Sequence, residues 1–302
     1  MSFNLKYRPH SLEEFYGNIS TVKVLKSFMK SKDKHRCLLF HGPAGCGKTT
    51  LARILAKELK SIDIQEIDMG NNRGIETARN IINTVYLRPF GGGIKIYILD
   101  EVHKATNEFQ NALLKTLEEP PSFVYFILCT TEPEKIIRTI QSRSMSFAVS
   151  SLSKNRMRKF LQYICIKESV EISDSVIDSI TEQSKGIPRD ALIYLDQIKG
   201  IDTEKEQIRV IKSIHKNEEN LIDLCRLLLK KNVGWDQLIK LLESIEEEPE
   251  SIRRMILGYF SKVLINNPSP RIALILECFK NNFYDAGKAG LLLALYEIYL
   301  NK

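Results

Sequence analysis

The residues from Gly42 to Thr49 read Gly-Pro-Ala-Gly-Cys-Gly-Lys-Thr, which is the spacing of a phosphate-binding loop. In such a loop, glycines let backbone N–H groups surround phosphate oxygens at the start of a helix, where the helix dipole favours an anion. Lys48 can reach the β- and γ-phosphates, and the Thr49 hydroxyl can bind Mg²⁺. A glycine turn that only joins a strand to a helix needs none of these residue types. The motif therefore predicts a nucleotide site.

A pair of carboxylates, Asp100 and Glu101, follows the apolar run Ile96–Leu99. At the carboxyl end of a parallel strand, an aspartate can hold Mg²⁺ and the next glutamate can polarise the attacking water as a general base. Such a pair is also common as the N-cap of a helix. The phosphate loop earlier in the chain favours the catalytic interpretation.

These groups need a scaffold, and short apolar runs alternate with helical stretches over residues 1–150. The predicted strands are Cys37–Phe40, Ile64–Ile67, Ile94–Leu99, Val124–Cys129 and Met145–Val149. The predicted helices are 19–31, 48–60, 74–86 and 106–118, the last of which ends before Pro120-Pro121 because proline cannot continue a helix. Several strands are apolar throughout, which favours an α/β fold whose parallel sheet is covered on both faces.

Beyond residue 152 the pattern is helical only, with predicted helices at 153–168, 173–184 and 188–199 and further helices to the end of the chain. The sequence therefore predicts an α/β domain over residues 1–150, a small helical domain over 151–201 and an all-helical domain over 202–302.

Composition excludes several classes of protein. With 43% hydrophobic and 27% charged residues, the chain is neither disordered nor fibrous. The most apolar run, Ala289–Leu300, contains Glu297 and is too short to span a bilayer, and the N-terminus has no apolar signal region. We therefore expect a protein of the cytoplasm or nucleoid, with no membrane contact.

The six cysteines are scattered and contain no Cys-x-x-Cys pair. A zinc module or a disulfide framework needs clustered spacing, so we expect reduced thiols and no zinc.

The charge is unevenly distributed along the chain, since residues 1–60 hold twelve Lys and Arg against four Asp and Glu. An anionic partner would therefore bind the N-terminal part of the chain first. The alternative interpretation is a basic surface that is only solvated and has no partner.

Further motifs, which occur in the same order along the chain as in the family, resemble the ATPase core of the DNA polymerase clamp loaders. This is the AAA+ family of bacterial gamma/tau and the small subunits of replication factor C. The motifs are Lys6-Tyr7-Arg8-Pro9 with Phe15 and Gly17, Asp100-Glu101-Val102-His103, the run from Asn111 to Pro121, Cys129-Thr130-Thr131-Glu132-Pro133, Ser142-Arg143-Ser144, and the run from Gly186 to Leu192. The resemblance covers about residues 5–200, and residues 201–302 match only in being helical and of suitable length.

This resemblance implies an AAA+ P-loop domain, a helical lid and a C-terminal helical collar. It implies that ATP and Mg²⁺ are bound, the metal by Thr49 and Asp100. The implied nucleotide contacts are Tyr7, Arg8, Pro9, Gly17, Gly42, Pro43, Ala44, Gly45, Cys46, Gly47, Lys48, Thr49, Thr50 and Arg189.

Four residues are implied to take part in hydrolysis. Lys48 and Glu101 keep the roles given above, Thr131 is the first sensor, and Arg143 is an arginine finger that reaches the site of a neighbouring subunit. The chain departs from the family in two places. It has no cysteine-rich insert after the phosphate-loop helix, and Ser144 replaces the usual cysteine of the finger motif.

The stretch from Asn71 to Arg79 resembles the segment of replication factor C small subunits that tracks the DNA backbone. We expect Arg73, Ile75 and Arg79 to contact phosphates without reading sequence, since charge and helix N–H donors suffice for that. An exposed helix start with ordinary surface arginines is the alternative interpretation.

The expected function is that of an ATPase subunit of a sliding-clamp loader. Its expected partners are other loader subunits in a ring or spiral, a pentamer in the family, together with the sliding clamp and primer–template DNA. One alternative is another AAA+ motor such as a Holliday-junction branch-migration helicase, which lacks the Leu117–Pro121 and Ser142-Arg143 signatures in this form. A second alternative is a non-hydrolysing stator like bacterial delta-prime. The phosphate loop of such a stator is degraded, whereas this chain has Lys48, Thr49, Asp100 and Glu101. A cellular and a viral origin both remain open.

Overall fold

The computed structural model describes residues 2–31, 34–230, 233–245 and 247–301, without the side chains of residues 215–219. The chain divides into two compact units, Met1–Gly200 and Ile201–Lys302. The first contains every strand of the described residues, and the second is helical.

The first unit is built on a sheet of five strands in the order β2-β3-β4-β1-β5. All four strand pairs are parallel. The strands are β1 Cys37–His41, β2 Asp63–Asp68, β3 Lys95–Asp100, β4 Val124–Thr130 and β5 Met145–Ala148. Each lies within a residue or two of its predicted position, and the predicted parallel α/β fold is confirmed.

The apolar runs become central strands because both of their faces are covered. Leu38 and Phe40 of β1 belong to one core cluster, whereas Cys37 and Leu39 belong to the cluster on the opposite face. Successive side chains of a strand point to opposite faces, so a strand buried on both sides must be apolar throughout. The edge strand β2, in contrast, alternates partly buried with exposed residues.

Helices cover both faces of the sheet. The helices of the first 150 residues are α1 Phe3–Lys6, α2 Ile19–Lys30, α3 Lys48–Glu58, α4 Ile75–Val85, α5 Asn107–Glu118 and α6 Arg138–Arg143. α5 begins after Thr106, whose side chain accepts the Phe109 N–H at 3.2 Å. The short helices α1 and α6 were not predicted, because fewer than two turns cannot show a hydrophobic period.

Three helices complete the first unit, namely α7 Lys154–Glu168, α8 Asp174–Gln183 and α9 Pro188–Ile198. Ser173 caps α8, and Pro188 is the first residue of α9, where the missing N–H costs no hydrogen bond. α9 also contacts α1, so the N-terminal segment is packed against this group of helices.

The second unit contains α10 Glu204–Leu229, α11 Trp235–Glu243, α12 Pro249–Asn266, α13 Pro270–Cys278 and α14 Gly287–Leu300 around one apolar core. Arg271 of α13 donates to the carbonyls of Leu228, Ile298 and Asn301, so it supplies donors at the ends of α10 and α14. Within the described part of the chain, no helix has the length and apolar character needed to cross a membrane.

A second polar connection in this unit lies between α12 and the segment before α14. The Glu250 carboxylate accepts hydrogen bonds from Arg253 at 2.7 Å and from the Phe283 N–H at 2.9 Å. Arg253 also donates to the Phe279 carbonyl at 3.0 Å. Hydrogen bonding to Arg253, then to Phe283, lowers the pKa of Glu250 from 4.5 to about 2.

We predict that Glu250→Gln flattens the acid dependence of stability in the second unit. The folded-state pKa lies below the unfolded one, so the stabilisation is present above pH 4.5 and is lost as the pH falls towards 2. Urea unfolding followed by fluorescence of Trp235, the single tryptophan, reports this unit at each pH. Glu277→Gln is the control, because Glu277 makes only an exposed pair with Lys280. Equal acid profiles for wild type and Glu250→Gln would contradict the assignment.

Candidate nucleotide-binding site

The phosphate loop runs from the carboxyl end of β1 into the first turn of α3. Gly42, Gly45 and Gly47 all have positive φ angles, of 145°, 74° and 101°. A Cβ on Gly42 would lie 2.0 Å from the Val149 carbonyl oxygen, and one on Gly47 would lie 2.9 Å from the Phe15 ring. These positions need glycine for backbone conformation and for space, as a loop that closely surrounds an anion requires.

Lys48 points back over this loop. Its Nζ donates to the carbonyls of Gly42 and Pro43, each at 2.9 Å. The residue is 5% exposed, and desolvation lowers its pKa. A buried ammonium ion held only by neutral carbonyls is well placed to gain a phosphate partner.

Thr49 and Asp100 meet where the loop faces the end of β3. The Thr49 hydroxyl donates to Asp100 Oδ2 at 2.9 Å, and the Glu101 N–H donates to Asp100 Oδ1 at 3.0 Å. Burial raises the pKa of Asp100, because it disfavours the charged carboxylate. One hydroxyl and one carboxylate oxygen are donors of the kind that Mg²⁺ takes beside phosphates, and the two residues fit that ion.

Glu101 begins the next turn with a left-handed backbone, at φ 52°. Its Oε2 lies 3.4 Å from the Thr131 hydroxyl and 3.3 Å from His103 Nδ1. Thr131 follows β4, the neighbour of β3 in the sheet, so two adjacent strand ends bring these groups together. Glu101 and Thr131, which the motifs indicate separately, therefore lie side by side.

A cavity of about 190 Å³ contains most of this site. Three guanidinium groups, those of Arg8, Arg53 and Arg189, line it beside Lys48. Desolvation, then repulsion from Arg53 and Arg189, lowers the pKa of Arg8. The full lining is Arg8, Ala44, Gly45, Gly47, Lys48, Thr49, Thr50, Arg53, Asp100, Glu101 and Arg189. Such a concentration of positive charge suits a polyphosphate.

Residues of the N-terminal motif, among them Tyr7, Arg8 and Pro9, line a second cavity of about 100 Å³. It is lined by Asn4, Tyr7, Arg8, Pro9, Glu14, Phe15, Tyr16, Gly45, Cys46, Gly47, Thr50, Phe160, Pro188, Arg189 and Leu192. Gly17 is not among these residues. A Cβ there would lie 2.2 Å from Leu152 Cδ2, so Gly17 permits close packing against Leu152, and its nucleotide contact stays a prediction.

The Tyr7 hydroxyl is already bound. It donates to Glu168 at the end of α7, and Lys6 pairs with the same carboxylate at 2.6 Å. Burial, followed by the hydrogen bond to Glu168, raises the pKa of Tyr7 to about 12. Tyr7 therefore offers its ring to the cavity, and Glu168, which the motifs did not reveal, anchors the segment. Only its distance in space from Tyr7, not its sequence context, identifies it.

α9 starts directly over the phosphate loop. A Cβ on Gly45 would lie 2.5 Å from Ile187 Cγ2 and 3.3 Å from Arg189 Cβ. Arg189 also lines both cavities.

Arg143 lies elsewhere. It ends α6 just before β5, and its neighbour Ser144 contacts Cys37, the first residue of β1, at 3.2 Å. Arg143 is thus at the amino edge of the sheet, whereas the phosphate loop is at the carboxyl edge. β1 alone separates the two edges by about 13 Å. Arg143 Nη2 pairs with Glu118 Oε1 at 2.8 Å.

The predicted DNA contacts lie at the start of α4. Arg73 and Arg79 are exposed, and Arg79 pairs with Glu76 at 2.7 Å. The Ile75 side chain packs against the core, so only its backbone amide, in the first helical turn, is available to a phosphate.

Comparisons with known proteins indicate the family of this chain. A family model described as DNA polymerase III, delta subunit, matches residues 59–153, and one described as the Rad17 P-loop domain matches residues 3–80. The Mycobacterium tuberculosis (H37Rv) DNA polymerase III subunit gamma/tau is 33% identical over 74% of this chain and 43% of its own length. The Bacillus subtilis subunit tau is 31% identical over 97% of this chain and 57% of its own length.

Among solved structures, the Thermotoga maritima RuvB Holliday junction branch migration motor matches with a TM-score of 0.57. The match covers 80% of this chain and 86% of that one, at 20% identity. A likeness at this identity concerns the fold and carries no argument for branch migration.

The parallel sheet, the phosphate loop and the Asp100-Glu101 pair define a P-loop protein of the AAA+ class. Within that class, the chain belongs to the clamp-loader family of the DNA polymerase III gamma/tau subunits. It spans 43% to 57% of the length of the two relatives described above.

We predict that Gly42→Ala lowers ATP affinity by about tenfold or more, because a Cβ at φ 145° collides with the Val149 carbonyl and displaces the loop. The measurement is titration with a fluorescent ATP analogue, with thermal unfolding as a check on folding. Gly74→Ala is the matched control, since its Cβ would meet nothing within 4 Å and its φ is −94°. Unchanged affinity in Gly42→Ala would show that the loop does not hold the nucleotide.

Proposed function

We propose that this chain is an ATPase subunit of a sliding-clamp loader. The observation that carries the proposal is the division of one catalytic set between two edges of the sheet. Lys48, Asp100, Glu101 and Thr131 lie at the carboxyl edge, and Arg143 lies at the amino edge. A motor whose sites form between subunits requires this arrangement, and the gamma/tau relatives support the same function.

In this proposal ATP is the substrate. Lys48 neutralises charge on the β- and γ-phosphates, Glu101 accepts a proton from the attacking water, and Thr131 fixes the Glu101 carboxylate and the water. Mg²⁺, held by Thr49 and Asp100, would neutralise phosphate charge. No zinc is required by this chemistry.

Residues 151–201 act as a lid in this proposal. Arg189 contacts the phosphates from the first turn of α9, so the nucleotide connects the lid to the phosphate loop. Residues 1–150 are the ATPase domain, and residues 202–302 are the collar that joins subunits. The partners are other loader subunits, in a pentameric ring or spiral, the sliding clamp and primer–template DNA, all inside the cell.

Arg143 acts on the neighbouring subunit's ATP. Its guanidinium would compensate the charge that develops on the γ-phosphate during transfer, a contribution that a partner can make in trans. The Glu118 pair holds it at the sheet edge until then. Since that pair is partly exposed, it contributes little free energy and does not lock the finger.

We predict that Arg143→Ala chains lose ATPase activity by about 10³-fold, the low end of what an arginine finger supplies, and that Lys48→Ala chains lose productive ATP use because the β- and γ-phosphates lose their positive partner. When the two variants are mixed, turnover should partly return, because one interface then combines an intact phosphate loop with an intact arginine. The assay is steady-state phosphate release at several mixing ratios, in the full complex where other gene products occupy the ring.

Arg138→Ala is the matched control, since Arg138 is an exposed arginine at the start of the same helix α6. Its activity should equal that of wild type. No recovery at any mixing ratio would mean that Arg143 serves its own chain, against the trans arrangement.

DNA would be held by its phosphates at the start of α4. Arg73 supplies positive charge beside first-turn amides that have no acceptor within the helix. The Thr106 N–H donates to the Arg73 carbonyl at 3.0 Å, which ties this segment to the cap of α5. The binding needs no base contact, so it should not depend on DNA sequence.

We predict that Arg73→Ala with Arg79→Ala weakens DNA binding, and that the slope of log affinity against log salt falls by about two. Fluorescence anisotropy with two unrelated primer–template duplexes measures both quantities. Arg156→Ala with Lys159→Ala removes the same charge from the exposed face of α7 and should leave the slope unchanged. If both double variants behave alike, the DNA path lies elsewhere.

A further inference from the structure

A histidine connects the two strand ends that carry the catalytic groups. His103 is in the 3₁₀ turn Val102–Lys104 that follows Glu101, and its side chain is 5% exposed. Nδ1 lies 3.3 Å from Glu101 Oε2, and Nε2 lies 3.1 Å from Glu132 Oε1. One buried ring therefore stands between two carboxylates, one after β3 and the other after β4.

The surrounding groups fix the orientation of this ring. The Thr130 hydroxyl, on the last residue of β4, lies 3.2 Å from His103 Nδ1. The same oxygen accepts the Glu132 N–H at 3.0 Å, so Thr130 connects the ring to the backbone of the segment after β4. Lys135 holds Glu132 from the other side at 2.7 Å. The imidazole can turn only by breaking several of these contacts together.

We propose that His103 is a positioning residue for ATP hydrolysis, whose imidazole fixes the Glu101 carboxylate relative to the segment that carries Thr131. The inference rests on the proposed ATPase function and assigns a residue to the same site. His103 does not line the cavity that contains Lys48 and Asp100, so it acts through Glu101 rather than on the nucleotide.

The geometry explains why such a link is needed. The Glu101 backbone is left-handed and its side chain is 28% exposed, so local structure alone does not select one orientation of the carboxylate. The Thr131 contact, at 3.4 Å, is long for an O–H···O hydrogen bond. A displacement of about 1 Å in a catalytic group can reduce a rate by about 10²-fold. A hydrogen bond from the Nδ1–H to Glu101 Oε2 limits that displacement, and the contact of the ring with Thr130 keeps the ring in place.

The test measures ATP turnover and nucleotide affinity separately in the assembled complex. His103→Ala should lower kcat by about 10- to 100-fold and leave KM and the affinity for a fluorescent ATP analogue unchanged. His103→Asn, whose amide replaces Nδ1, should recover more kcat than His103→Gln, whose amide replaces Nε2. Lys104→Ala, an exposed neighbour in the same turn, should equal wild type.

A double-mutant cycle tests the route through Glu132. If both residues act on Glu101 as one unit, His103→Ala with Glu132→Ala should lose no more activity than His103→Ala alone. Additive losses would contradict that route. Thermal unfolding of each variant identifies any loss caused by misfolding, and the Asn variant then supplies the decisive comparison.

Two results would overturn the inference while leaving the proposed function intact. One is full turnover in His103→Ala, and the other is a loss in His103→Ala that Asn and Gln restore equally. A wild-type complex that binds ATP and never hydrolyses it with DNA and clamp present would instead reject the proposed function itself.

Discussion

The parallel sheet places the chemistry of this protein at its edges. Because β1, β3 and β4 are buried on both faces, no polar group that must meet water or phosphate can lie along them. The strands all run in one direction, so the residues that follow them gather at the carboxyl edge and those that precede them gather at the amino edge. Lys48, Asp100 and Thr131 are adjacent for that reason. Arg143 is far from them for the same reason, and this separation is what makes a second subunit necessary in the proposed mechanism.

At the carboxyl edge, electrostatics and packing both favour a bound nucleotide. Lys48 is a buried cation, and three guanidinium groups line the same cavity. The pKa of Asp100 is raised and that of Lys48 lowered, both chiefly by burial, so burial disfavours each charged form. A polyphosphate with a divalent cation would stabilise both charged forms. In the proposed mechanism, this binding energy would hold Arg189 and the start of α9 over the phosphate loop.

Around the candidate nucleotide site, carboxylates contact the side chains of residues that have a proposed role. Glu168 anchors Tyr7, Glu118 holds Arg143, and Glu132 holds His103. The pairs differ in burial and therefore in expected effect. His103 is enclosed, so its contacts can fix an orientation, whereas the Arg143 pair is open to water and can exchange for a stronger partner. The same residue type thus serves a fixed contact in one place and a reversible one in another.

Much of this arrangement follows from the sequence. Hydrophobic periodicity predicted the five strands and the longer helices. An element that is buried on one or both faces has apolar residues at a characteristic spacing, and this spacing can be read from a short stretch of sequence. The phosphate loop and the Asp100-Glu101 pair were recognisable because each consists of residues that are close together in the sequence. Their spacing along the chain therefore fixes their local arrangement in space. The short helices α1 and α6 were not predicted, because they are too short to show a period. The close approach of Gly17 to Leu152 was not predicted either, because it joins residues that are far apart in the sequence.

Tertiary structure alone decided the contacts between residues that are distant in the chain. Glu168 with Tyr7, Glu118 with Arg143 and Glu132 with His103 are ordinary charged residues with no local signature. Their partners are chosen by which strand ends and helix ends the sheet brings side by side. Strand order and direction set those neighbours, and these depend on how the whole core packs rather than on any one segment.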